Sequence, residues 1–148
     1  MVEEVDPEID LPIPALIPAD YVEDINQRLV FYRRFSSARS QEAGEEIVEE
    51  LRDRYGTIPP VLENLVEVMN LRLLMKKTGV KRVSTERERV VLVFDLHSPV
   101  DPQRLVEVVA RGGERMEFTP DQRLKFRPAE KGWGGMLAQT RKILMEII

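Results

Sequence analysis

The stretch VKRVSTERERVVLVFDL, residues 80–96, is where the apolar pattern of this 148-residue chain changes its period. Val80 and Val83 mark a short strand, Arg89 to Leu96 a stronger one rich in valine, and the charged run Glu86 to Glu88 supplies the turn between them. Ahead of it the apolar patterns are helical. Pro59-Pro60 pre-organise the first turn of a helix over about 60–78, with Leu62, Leu65, Met69 and Leu73 on its apolar side. Lys76 and Lys77 suit the negative end of that helix, and Gly79 stops it. Earlier still, Ser40 caps a helix over about 41–54 that buries Ala43, Ile47 and Leu51 and ends at Gly56. Asp20 and Glu23 have the spacing of a capping box, which predicts a first helix over about 20–36 carrying Val22, Ile25, Leu29 and Tyr32.

Beyond residue 96 the helix signal returns once before the next strands. Asp101-Pro102 is an N-cap followed by proline at the first helical position, opening a helix to about Ala110 that Gly112-Gly113 closes. Glu114 to Phe118 and Arg123 to Arg127 alternate around Thr119-Pro120-Asp121-Gln122 and read as a hairpin. A last helix runs from about Trp133 to Ile148, entered through a flexible loop, Gly132 to Gly135, with Trp133 as a packing anchor. The expected class is α+β: three N-terminal helices, short antiparallel strand pairs around one helix, and a C-terminal helix. Residues 1–18 hold Pro7, Pro12, Pro14 and Pro18. Proline fixes φ and removes a donor, so this segment is expected to be extended, an edge strand or a connector, ahead of a single domain over 19–148.

Composition narrows the function. Apolar residues at 43% and charged residues at 32% describe an ordinary globular chain, and zero cysteine excludes disulfide scaffolds, iron–sulfur clusters and thiol catalysis. No apolar run approaches the roughly 20 residues a membrane span needs, and the first eight residues carry four acids and no base, unlike a targeting peptide. A cytoplasmic, non-membrane domain is expected. The net charge of −4 hides a polarity. Residues 1–75 hold 7 Lys/Arg against 16 Asp/Glu, and residues 76–148 hold 15 against 10. Such a chain suits two faces with different partners better than general nucleic-acid binding, which asks for a basic domain.

Catalytic signatures are missing. There is no GxxxxGK[ST] loop, GxGxxG, GxSxG or HExxH in the sequence. His97 is the single imidazole, with no sequence pattern to supply an orienting carboxylate. The acids of the second helix lack the histidines of a carboxylate-bundle metal site and read as a solvated face. No metal, cofactor or catalytic residue is expected. Glu50 stands apart from its neighbours: seven residues after Ala43, it lies about 20° from it, at the border of the apolar stripe. There it either pairs inside the domain or reaches a docked partner, and geometry alone favours the internal pair. Arg123, Lys125 and Arg127 share one strand face opposite Leu124 and Phe126, while Lys81, Arg82, Arg87 and Arg89 crowd the other hairpin. A nucleic-acid module built on these basic hairpins is the rival reading, and an enzyme with a carboxylate site on the second helix a weaker third.

Three motifs add a family resemblance. Leu16-Ile17-Pro18-Ala19-Asp20-Tyr21-Val22-Glu23-Asp24-Ile25-Asn26-Gln27-Arg28-Leu29 runs into Phe31-Tyr32-Arg33-Arg34. Glu50-Leu51-Arg52-Asp53-Arg54-Tyr55-Gly56 precedes Pro59-Pro60, and Arg123-Leu124-Lys125-Phe126 follows later. In this order they resemble the C-terminal regulatory domain of the bacterial transcription-repair coupling factors (Mfd), with its IPxxYxxDxxxRLxxYxR, ELxDR(F/Y)G and TRLKF patterns. The resemblance runs from about residue 9 to the C-terminus, with 83–115 matching only in outline. It implies a large ATP-driven translocase as parent, which displaces stalled RNA polymerase and recruits UvrA through a UvrB-like module. For this chain it implies a non-catalytic, autoinhibitory domain that packs intramolecularly on the UvrB-like module, masks its UvrA-binding surface and binds no DNA itself. Glu50, at the head of the ELxDRYG motif, then faces arginines of that module, with Glu46 and Asp53 as the next contacts.

Overall fold

The computed structural model describes residues 6–148, so the first five residues of the expected connector lie outside the described residues. Among the described residues contacts gather into two compact units: Ile13–Leu73, and residues 6–12 together with Leu74 onward. The boundaries fall at Pro12–Ile13, in an extended segment, and at Leu73–Leu74, inside a helix.

The Ile13–Leu73 unit is helical. An extended strap leads into α1 (Ile25–Ser37), α2 (Gln41–Tyr55) and most of α3 (Pro60–Thr78). Ser40 caps α2, its hydroxyl accepting from Ala43 N at 3.1 Å, and Gly56 ends it at φ 94°. The core is Ile17, Val22, Phe31, Phe35, Ala38, Ile47, Leu51, Ile58, Leu62 and Met69. Gly44 of α2 lies against the end of the Met69 side chain, which would have to shift to admit a Cβ there. The strap is tied down by polar contacts: Ile17 N donates to the Tyr32 hydroxyl at 2.7 Å, Leu16 N to Val61 O at 3.2 Å, and Asn64 Nδ2 to Pro14 O at 2.9 Å.

The first helix begins later than the capping box predicts. Asp24, not Asp20, is the N-cap, its carboxylate accepting from Asn26 N at 2.8 Å. Tertiary ties decide the matter. Tyr21 N and Val22 N both bond Pro18 O in a tight turn, and Val22 is fully buried. The Tyr21 hydroxyl donates to Gly56 O at 2.7 Å and Leu51 O at 3.1 Å, while Arg28 holds the carbonyls of Val22 and Glu23 at 2.7 and 3.0 Å. A helix starting at Asp20 would have to give these up.

The other unit is a five-stranded sheet in the order β1-β2-β3-β5-β4, built from β1 (Glu8–Asp10), β2 (Val80–Glu86), β3 (Arg89–Phe94), β4 (Met116–Thr119) and β5 (Arg123–Phe126). The hairpins β2–β3 and β4–β5 are antiparallel, as is the β3–β5 pair that joins them. Strand β1 is the exception, running parallel to β2 with Ile9 opposite Val83. The expected connector is therefore divided, residues 8–10 completing the sheet and Ile13 onward belonging to the helical unit. Helix α4 (Pro102–Gly112), capped by Asp101, a short 3₁₀ turn and α5 (Trp133–Glu146) complete this unit. Its buried side chains include Val83, Val90, Leu92, Phe94, Leu124, Phe126, Val108, Leu137, Ile143 and Leu144. Trp133 is not the anchor expected of it; it keeps 37% of its surface exposed. The architecture is α+β, with five helices and a mostly antiparallel sheet.

Candidate functional site

Helix α2 carries the residues singled out for contact. Glu46, Glu50 and Asp53 fall within about 60° of one another around the helix axis, so they form one acidic stripe along it. Glu46 and Asp53 are exposed and Glu50 is half-buried, as its border position requires. Among the described residues no ion pair forms at Glu46 or Asp53.

Glu50 is occupied from within. Its carboxylate pairs with Arg34 of α1 through one oxygen and lies 3.7 Å from Arg54, one turn on, through the other. Both guanidinium groups also sit over aromatic faces. Arg34 is 5.3 Å from the Phe31 ring centre, and Arg54 is 5.7 Å from Phe31 and 5.1 Å from Tyr55. Phe31 is fully buried and meets Tyr55 edge-on at 6.3 Å, and Tyr55 meets Tyr21 at 5.7 Å. Burial pushes the Tyr21 phenol above its ordinary value of 10.0, with Arg52 pulling the other way, so its hydroxyl stays a donor through the neutral range. The cluster is thus a carboxylate clamped between two arginines that an aromatic floor holds flat. With 38–45% of these side chains exposed, the ion pairs themselves are worth about 0–1 kcal/mol. What they fix is geometry. The Arg34–Glu50 contact is the internal pair that helical geometry favours, and it leaves the outer edge of all three groups open.

Four cations of the basic hairpins are paired with acids of the chain. Arg82 pairs with Glu8 at 2.6 Å and Asp10 at 3.2 Å, Arg89 with Glu117 at 2.7 Å, Arg123 with Asp121 at 3.0 Å and Lys125 with Glu86 at 3.1 Å. Leu124 and Phe126 are buried behind Arg123 and Lys125, and Phe94 meets Phe118 edge-on at 6.0 Å, so these aromatic rings serve packing. The acidic partners are scattered over β1, β2, β4 and a turn, and only Asp121 is a sequence neighbour of the cation it pairs with. His97 is exposed in a loop. Among the described residues no group of His, Asp or Glu is placed to hold a metal ion, and no helix is long and apolar enough to cross a membrane.

The TRCF domain family model matches residues 11–105, which include the strap, all of α1 to α3 and the first hairpin. The chain belongs to the TRCF domain family. It is 33% identical to the transcription-repair-coupling factor of Myxococcus xanthus over 97% of its own length, and 32% identical to that of Escherichia coli over 80%. The chain spans about 12% and 10% of the length of those two proteins. The crystal structure of a C-terminal domain of transcription-repair coupling factor superposes with a TM-score of 0.80 at 21% identity, covering 97% of this chain and 95% of that one. At that identity the likeness is one of fold. This TRCF domain keeps that fold over both its units, with the Arg34–Glu50–Arg54 cluster inside the region the family model matches.

Proposed function

We propose that this TRCF domain is a non-catalytic autoinhibitory module, which packs on the UvrB-like module of its parent and masks the surface that UvrA binds. The observation that carries the reading is the acidic stripe Glu46–Glu50–Asp53, whose central member is held in a fixed pose and still open at its edge. A carboxylate pre-oriented in this way meets an incoming guanidinium without first losing side-chain freedom. An interface of a few such contacts holds as an intramolecular latch because effective concentration is high. It gives way when a competing state gains a few kcal/mol. The parent's contact with RNA polymerase belongs to the same proposal, as does the absence of nucleotide turnover by this domain.

The test is UvrA binding by the full-length parent. Glu50→Arg, and separately Glu46→Arg with Asp53→Arg, replace attraction by like-charge repulsion and should tighten UvrA binding toward that of a parent lacking this domain. The second variant touches no internal pair, so its effect cannot come from loosening α1 against α2. UvrA binding equal to wild type for both, with the 148-residue chain still folded, refutes the latch. ATP turnover by the isolated chain, abolished by a point substitution within it, would refute the non-catalytic assignment.

A further inference from the structure

We propose that the corner formed by the Asp95–Pro99 loop and residues 76–81 is a docking site for an acidic, amphipathic protein segment, distinct from the α2 stripe. Leu96 is the most solvent-exposed of the large apolar side chains described, at 82%. It is not exposed because its loop is loose. Asp95 N donates to Gly79 O at 2.7 Å, and the Ser98 hydroxyl donates to Thr78 O at 2.5 Å. Within the loop, His97 N donates to Asp95 Oδ1 at 3.0 Å, Ser98 N to Asp95 O at 3.1 Å and Val100 N to the Ser98 hydroxyl at 3.3 Å. Gly79, at φ 68°, lets the two segments touch, since a Cβ there would lie 2.8 Å from Ser98 Cα. Leu96 and His97 are therefore displayed on a braced loop.

The exposed cations nearest along the chain to Thr78 and Gly79, where the loop is bonded, are lysines. Arg82, Arg89, Arg111, Arg123 and Lys125 each hold a carboxylate of the chain. Lys76 and Lys77 in the last turn of α3, and Lys81 at the start of β2, are exposed. No ion pair forms at any of the three among the described residues. The loop's own carboxylate, Asp95, accepts from the His97 amide and keeps its charge, against three lysines. Three available ammonium groups beside a fixed aliphatic knob call for carboxylates and apolar side chains together. Nucleic acid answers only half of that description. Its phosphates suit the lysines and the His97 ring offers a base one face to stack on, but it gains nothing from an aliphatic knob.

The experiment uses the 148-residue chain and three probes followed by fluorescence anisotropy at low and physiological salt: a peptide alternating glutamate and leucine, a polyglutamate peptide of equal charge, and oligo-dT of equal charge. The alternating peptide should bind most tightly. Leu96→Ser should weaken it about tenfold, as removal of an interface anchor does. It should leave polyglutamate unaffected, and Lys76→Glu with Lys77→Glu should weaken both peptides. Because the Leu96 side chain lies in solvent, Leu96→Ser should unfold at the wild-type urea midpoint. Equal binding of the two peptides with no effect of Leu96→Ser overturns the proposal, as does the absence of measurable peptide binding. Tighter binding of oligo-dT that ignores Leu96→Ser reassigns the corner to phosphate recognition.

Discussion

Replacing Leu51 by alanine tests whether the helical unit is built as described. Leu51 is fully buried on α2, among Val22, Phe31, Ile47 and Leu62 of the same core cluster. Deleting a buried leucine costs the transfer free energy of the lost carbons plus a term for the cavity left behind, about 2–5 kcal/mol in total. The Leu51 carbonyl that accepts from Tyr21 is retained, so no polar group is orphaned and the loss is one of packing alone. With a urea slope of about 1–3 kcal/mol per molar, the midpoint should fall by on the order of 1–2 M. Glu49, two residues earlier, is exposed and paired only with Arg52, so Glu49→Ala should change stability by about 0.5 kcal/mol or less. All three tyrosines of the sequence, Tyr21, Tyr32 and Tyr55, lie in this unit, and near-ultraviolet circular dichroism of tyrosine follows it selectively. Equal midpoints for Leu51→Ala and Glu49→Ala would show that the buried face of α2 has been wrongly assigned.

Tyr21→Phe removes the hydroxyl that serves Gly56 O and Leu51 O and should cost about 1–2 kcal/mol in the same urea titration, with the fold intact. Gly79→Ala should destabilise the sheet-bearing unit, because it places a Cβ against the Ser98 backbone at a φ of 68°; thermal unfolding followed at Trp133 reads this out. The hydrogen bond and charge of Lys125 hold the Glu86 carboxyl below its ordinary value of 4.5. The stability it contributes is therefore complete above that value and is lost as pH falls through the lower folded-state value. Glu86→Gln should flatten the acid limb of the stability–pH curve and leave its slope near neutrality unchanged; an unaltered acid limb would remove Lys125–Glu86 as a contributor.

Much of the fold is legible in the residues themselves, wherever local chemistry decides. Ser40, Asp101 with Pro102, Gly56 and Gly79 mark helix ends that hold in three dimensions, because a cap is satisfied by atoms two or three residues away. The start of α1 is not legible, since Asp20 and Asp24 both have cap chemistry and Tyr21 decides between them through carbonyls 30 and 35 residues off. Strand β1 has only three residues, too few to show a period, and its ion-pair partner Arg82 lies 72 residues from Asp10. In the site, helical spacing gives the border position of Glu50 and the nearness of Arg54 four residues on. Arg34, by contrast, comes from a different helix, and only the packing of α1 on α2 delivers it.

The parallel pairing of β1 with β2 also sets an order of assembly. The residues of β1 are synthesised before the rest of the sheet, and their partner strand is made only after the whole of Ile13–Leu73 has followed. During vectorial synthesis the residues of the helical unit are all made while β1 still lacks a partner. The four strands from β2 to β5 come from one uninterrupted stretch, in which each hairpin closes across a short turn. β1 joins last, closing a loop that contains an already folded body in place of a flexible chain. The usual entropic cost of so long a closure is reduced to that of orienting one compact body. The helical unit is thus an insertion in sequence between the first strand of the sheet and the second.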